Sequence, residues 1–61
     1  MAENKKILVQ IIDHDNGNAV IGRDYMASRE EAESFKRMSD RAYGKLLGEN
    51  QTRITTEIFE L

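Results

Sequence analysis

The sequence predicts an α+β domain of the ββαβ type, in which a three-stranded antiparallel sheet carries one helix on one face. Three observations favour this fold: a continuous apolar run from Ile7 to Ile12, a cluster of turn-forming residues directly after it, and an amphipathic stretch that follows a capping motif at Ser28. The predicted order is strand, strand, helix, strand. We interpret residues 1–61 as a single domain.

The first predicted strand, residues 6–13, belongs in the centre of the sheet. Successive side chains of a strand point to opposite faces. One face carries Ile7, Val9 and Ile11, and the other carries Leu8, Gln10 and Ile12. Both faces are apolar except at Gln10, and a strand of this kind is normally covered on both sides.

A hairpin joins this strand to a second one, predicted over residues 19–26. Residues 13–18 are all turn formers, and Asn16-Gly17 suits the positive φ angles of a two-residue type I′ turn. That turn sets a register with these pairs: Ile12–Ile21, Gln10–Arg23, Leu8–Tyr25, Asp13–Val20, Ile11–Gly22, Val9–Asp24 and Ile7–Met26. A loop of different length would move the second strand's side chains to the opposite face. Gly22 indicates either a hollow opposite Ile11 or a β-bulge.

The helix is predicted over residues 29–47. Ser28 and Glu31 form a capping box, in which the Ser28 hydroxyl accepts from the Glu31 N–H and the Glu31 carboxylate reaches back to the Ser28 N–H. Gly48 is the expected left-handed stop. Gly44 marks either a close contact or no constraint. Apolar and small side chains recur at three- and four-residue steps and predict one buried stripe: Ala32, Phe35, Met38, Ser39, Ala42, Tyr43, Leu46 and Leu47.

The third strand is predicted over residues 53–60, where β-branched and aromatic residues are frequent. Since the helix runs back along the sheet, this strand should lie antiparallel to the first strand, on its free edge. The predicted spatial order is therefore 2-1-3. The pattern leaves open which of its two sides, Ile54 with Ile58 or Thr55 with Phe59, faces the helix.

One helix can cover only one face of this sheet. In the predicted register the helix covers Ile7, Val9, Ile11, Val20 and Met26. The opposite face is the candidate interface, with Leu8, Ile12, Ile21, Arg23 and Tyr25. Exposed apolar patches of this size usually mark interaction sites. We therefore expect a homodimer, formed sheet against sheet or through paired edge strands; the alternative is a monomer whose second face is partly shielded by Arg23, Tyr25 and the termini.

The sequence offers little for catalysis or metal binding, and we predict no catalytic residues, no metal site and no cofactor. Cysteine is absent and His14 is the only histidine. Residues 13–18 could suggest a calcium loop, but Gly17 stands at the fifth position, whereas an EF-hand needs glycine at the sixth. A catalytic role for His14 would require a serine or threonine brought from elsewhere and an orienting carboxylate.

A basic stripe at four-residue spacing, Arg37, Arg41 and Lys45, is a second candidate partner surface on the helix. It could bind an acidic protein or a phosphate backbone, or it could be a solvated face partly neutralised by Glu33 and Asp40. The net charge of −2 makes nucleic acid an unlikely partner. A nucleic-acid-associated regulator that uses this stripe is the alternative function.

The predicted function is therefore that of a small non-enzymatic protein–protein interaction module that self-associates. Its size and acidic charge are typical of phage or mobile-element accessory proteins that bind and inhibit a host protein. The longest apolar run is far too short to span a bilayer, and the first residues lack the apolar core of a secretory signal. We expect a cytoplasmic protein without a membrane partner.

Overall fold

The computed structural model describes residues 6–61, and residues 1–5, which the sequence predicts to be frayed, lie outside this range. The described chain forms three strands, one long helix and one short 3-10 turn: β1 (Ile7–Asp13), the 3-10 turn (His14–Asn16), β2 (Ala19–Met26), α1 (Arg29–Leu47) and β3 (Ile54–Glu60). The strands are antiparallel and lie in the order β2-β1-β3. The predicted fold class and strand order are confirmed.

The loop between β1 and β2 differs from the predicted two-residue turn. Residues 14–16 form the 3-10 turn, and the Asp13 carboxylate caps it by accepting a hydrogen bond from the Asp15 N–H at 3.0 Å. Positive φ angles occur at Gly17 (65°) and Asn18 (58°). They fall one residue later than predicted because the 3-10 turn uses Asn16.

A β-bulge changes the register of β2 beside this loop. The pairs from Ile7–Met26 to Ile11–Gly22 are as predicted, but Ile12 lies opposite Val20 and Asp13 opposite Ala19. The predicted pairs Ile12–Ile21 and Asp13–Val20 are therefore wrong. Since Ile21 is the extra residue, Val20 shares the face of Ile12 and does not face the helix.

Gly22 lies next to the bulge and accommodates its cross-strand neighbour. A Cβ at position 22 would lie 3.2 Å from Cδ1 of Ile11, which is tighter than an ordinary contact. The hollow that the sequence predicts is thus filled by Ile11 itself.

The two ends of α1 follow the predicted capping with changes in detail. The Ser28 hydroxyl accepts from the Glu31 N–H at 3.2 Å, while the Glu31 carboxylate accepts from the N–H of Ala27 rather than of Ser28. At the other end Gly48 has φ 115° and ψ 146°, a positive-φ conformation that favours glycine but lies outside the left-handed helical region. A methyl at Gly44 would find its nearest neighbour at 3.8 Å, so no close contact requires glycine there.

The core is small because α1 packs mainly against β3, less against β1 and least against β2. The buried apolar side chains of the described residues are Val9, Ala32 and Ile54. Met38 and Leu46 are 68% and 75% exposed. The predicted apolar stripe of the helix is therefore only partly buried.

Candidate interaction surface

The helix-free face of the sheet consists of three rows of side chains that run across the strands. Directly paired residues of antiparallel strands point to the same face, so the register defines each row. The rows, written from β2 through β1 to β3, are Tyr25–Leu8–Phe59, Arg23–Gln10–Glu57 and Val20–Ile12–Thr55. Two mainly apolar rows thus flank one polar row with an arginine at one edge and a glutamate at the other.

The apolar side chains of this face are left in contact with solvent. Val20, Tyr25 and Phe59 are each 40 to 45% exposed, and Ile21 at the bulge is 49% exposed. Leu8 and Ile12, on the central strand, are half-buried. Full burial of such a side chain stabilises a protein by about 1.5–3 kcal/mol, so covering this face would release considerable free energy.

Five members of the face are missing from the predicted interface of Leu8, Ile12, Ile21, Arg23 and Tyr25: Gln10, Val20, Thr55, Glu57 and Phe59. Val20 reaches it through the bulge, and Phe59 and Glu57 reach it through the pairing of β3 with β1. The alternation of apolar and polar residues along β3 indicates that Phe59 shares a face with Thr55 and Glu57, opposite to Ile54 and Ile58. No local signal sets the register between two strands that are separated by a helix.

Side chains of the chain itself occupy part of each outer edge of the sheet. On β3, Gln51 exchanges two hydrogen bonds with the Ile54 backbone, at 2.7 and 2.8 Å, and Lys36 donates to the Thr56 carbonyl at 2.9 Å. On β2, the Asp24 carboxylate accepts from the Tyr25 N–H at 2.8 Å. Blocked and bulged edges disfavour strand addition, which leaves the faces as the surfaces open to a partner.

An ion-pair cluster fixes the β1–β2 loop to the start of β3. Arg53 donates to both carboxylate oxygens of Asp13, at 3.3 and 3.5 Å, and lies 3.9 Å from Asp15. The His14 N–H donates to the Arg53 carbonyl at 2.8 Å. The hydrogen bond from Arg53 lowers the pKa of Asp13, against the opposing effect of burial, with a further lowering from the Asp15 N–H.

We expect this cluster to make the fold acid-labile. The pKa of Asp13 is lower in the folded chain than its ordinary value of 3.8, so its stabilising effect is complete above that value and is lost as the pH falls through the folded pKa. Urea unfolding followed by circular dichroism should show stability declining below about pH 4. Asp13→Asn and Arg53→Gln should each make that decline in stability shallower. If stability falls below about pH 4 as steeply in both variants as in the wild type, the Asp13–Arg53 pair is not the cause of the decline.

His14 makes a three-residue hydrogen-bonded chain on the surface. Its Nδ1 lies at hydrogen-bond distance, 2.8 Å, from the Asn18 side-chain oxygen, and its Nε2 lies 2.7 Å from the Thr55 hydroxyl. A hydroxyl bonded to an imidazole, which is in turn bonded to a side-chain amide, is the arrangement of a catalytic nucleophile, its general base and the group that orients the base. The group is exposed, however, and the amide of Asn18 cannot stabilise an imidazolium as a carboxylate does. The contacts hold the loop against β3.

Two further properties concern metals and membranes. Within residues 6–61, no three of the histidine and carboxylate side chains come together in a way that could hold a metal ion. In the same part of the chain, no helix combines the length and apolar character needed to cross a bilayer.

The predicted basic stripe is exposed along α1. In residues 6–61, no carboxylate lies within ion-pair distance of Arg37, Arg41 or Lys45. The expected neutralising partners bind other cations, Glu33 with Arg29 and Asp40 with Lys36. Among the described residues the stripe is therefore without direct ion pairs.

Comparison with protein-family models, curated proteins and solved structures gave no match to this chain. Its function is therefore argued from its own surface. The helix-free face presents two aligned rows of mainly apolar side chains, and part of each adjacent edge is bonded to side chains of the chain itself.

Proposed function

We propose that this chain is a small non-enzymatic protein–protein interaction module that acts through the helix-free face and self-associates through it. The observation that carries the proposal is the pair of apolar rows left half exposed on that face. A patch of this kind, with a polar row through its middle, has the composition of a binding surface.

The small core supports the same conclusion. Val9, Ala32 and Ile54 are the buried apolar residues of the described chain, and small domains without disulfides or metals commonly gain stability by oligomerisation. Burying the helix-free face in a dimer would add apolar contacts of the kind that the core lacks. Packing of sheet on sheet at about 10 Å also leaves the blocked strand edges undisturbed.

We expect the purified protein to be a dimer by light scattering, and Ile21→Asp to be a folded monomer. Ile21 lies in the bulge of an outer strand and is half exposed, so the substitution introduces charge into the interface without removing core packing. Ile12→Asp, in the end row of the face on the central strand, should likewise give the mass of a monomer.

The matched control is Leu46→Asp, which makes a similar change at an exposed leucine of α1. The control should remain a dimer. A monomeric wild type would contradict the proposal. So would a dimer that is dissociated by Leu46→Asp but not by Ile21→Asp or Ile12→Asp. Circular dichroism shows that each compared variant is folded, and an unfolded Ile21→Asp would identify this face as core.

A second function is favoured by the charges of Arg37, Arg41 and Lys45, which have no ion-pair partner among residues 6–61 and suit an acidic partner or a phosphate backbone. It predicts retention of DNA or RNA at low ionic strength, with a steep loss as salt increases. Failure to retain either nucleic acid at low salt would remove this alternative. The cytoplasmic location and the role as an inhibitory phage or mobile-element protein stay predictions from the sequence.

A further inference from the structure

We infer that two copies of this chain pack face to face about a two-fold axis parallel to their strands, so that β2 of each copy covers β3 of the other. This inference rests on the proposed function and adds the orientation of the partner. It follows from the order of charges in the polar row, Arg23–Gln10–Glu57.

Two orientations are open to a symmetric pair of aligned sheets, because the two-fold axis then lies between the sheets and runs either along the strands or across them. An axis along the strands exchanges the two outer strands and keeps each row opposite itself. An axis across the strands keeps each outer strand opposite itself and exchanges the first and third rows.

The charges distinguish these orientations. With the axis along the strands, Arg23 of each copy faces Glu57 of the other, so two opposite-charge contacts form. With the axis across the strands, Arg23 faces Arg23 and Glu57 faces Glu57. Like charges brought together in an interface oppose association, whereas complementary charges set its register.

The apolar rows agree with the first orientation. It places Tyr25 against Phe59, the two aromatic side chains of the face, at both ends of the same row. Leu8 and Ile12 then meet their own counterparts at the axis, and Gln10 faces Gln10, where two amides can exchange hydrogen bonds. The first and middle rows are thus complementary to themselves, and in the third row Ile12 meets Ile12 while Val20 lies against Thr55.

The test uses cysteine cross-linking, since the natural chain has no cysteine. Facing sheets lie about 10 Å apart, which exceeds the span of a disulfide, so a short bismaleimide is the appropriate reagent. A mixture of Tyr25→Cys and Phe59→Cys chains should give a covalent heterodimer. A mixture of Tyr25→Cys and Val20→Cys chains, which the axis across the strands would bring together, should not.

Charge reversal tests the same orientation by sedimentation. Arg23→Glu and Glu57→Arg should each raise the dimer dissociation constant by about tenfold or more, because each places two like pairs in the interface. Mixing the two variants should restore association, since the heterodimer has only opposite pairs. Arg41→Glu and Glu49→Arg, which make the same reversals on α1 and in the loop after it, should leave the constant unchanged.

The outcomes separate this inference from the function on which it rests. If Ile21→Asp dissociates the dimer, the interaction face is supported. If in that same dimer Tyr25→Cys cross-links to Val20→Cys, or Arg23→Glu leaves the dissociation constant unchanged, the proposed orientation is wrong although the face is correct. A wild type that stays monomeric at every concentration would overturn both.

Discussion

Replacing Ile54 with alanine is expected to lower the free energy of unfolding by about 2–5 kcal/mol, the range for a large apolar side chain removed from a packed core. Ile54 is 6% exposed and is one of the buried apolar residues of the described chain. A domain of this length has a total stability of roughly 3–9 kcal/mol. The variant should therefore be largely unfolded at modest urea concentrations, as measured by circular dichroism.

Leu46→Ala is the matched control for this loss. It removes a side chain of the same size from a position on α1 that is 75% exposed, and surface substitutions usually change stability by less than about 0.5 kcal/mol. Equal losses at Ile54 and Leu46 would show that the later turns of α1 are covered in solution, which would contradict the small core described above.

Thr56→Val is expected to raise the free energy of unfolding by about 1–3 kcal/mol. Thr56 is 3% exposed, and its hydroxyl oxygen is buried with no hydrogen-bond partner in the described part of the chain. Valine has nearly the same shape and needs no partner, so the substitution removes a desolvation cost and keeps the packing. Thermal and urea unfolding at one fixed protein concentration measure the change.

Thr55→Val, at the neighbouring position, is a control in which the free energy of unfolding should fall instead of rise. Its hydroxyl forms a hydrogen bond with His14 Nε2 at 2.7 Å, so valine there removes that bond and should destabilise the fold by about 0.5–1.5 kcal/mol. A loss of stability in Thr56→Val would mean that its hydroxyl makes a bond in solution, and the assignment of an orphaned group would be wrong.

Much of the candidate surface could be predicted because strand alternation is a property of each strand alone. Leu8, Gln10 and Ile12 share the helix-free face whatever their neighbours do, and Arg23 and Tyr25 lie opposite two of them as predicted. The sequence could not place Val20, because one extra residue in β2 transfers it to the other face. The sequence also left open which side of β3 faces the helix, and therefore whether Phe59 and Glu57 lie on the helix-free face.

The position of α1 on the sheet differs from the prediction more than the register of β2 does. Its capping and its stripe of apolar residues are local features, and both predict a helix correctly. How far that helix covers the sheet depends on contacts between distant segments. Here Lys36 and Arg29 bind β3, and the helix follows that strand rather than the centre of the sheet.

Local signals in the chain specify which segments become strands and helix, and in what order the strands pair, because propensity, capping and alternation act over a few neighbouring residues. The bulge at Ile21, the row from Arg23 to Glu57 and the partly bonded edges arise from contacts between distant segments of the folded chain. These depend on the register between strands, which is set by the sum of contacts across the whole sheet and by loop geometry that no single segment encodes.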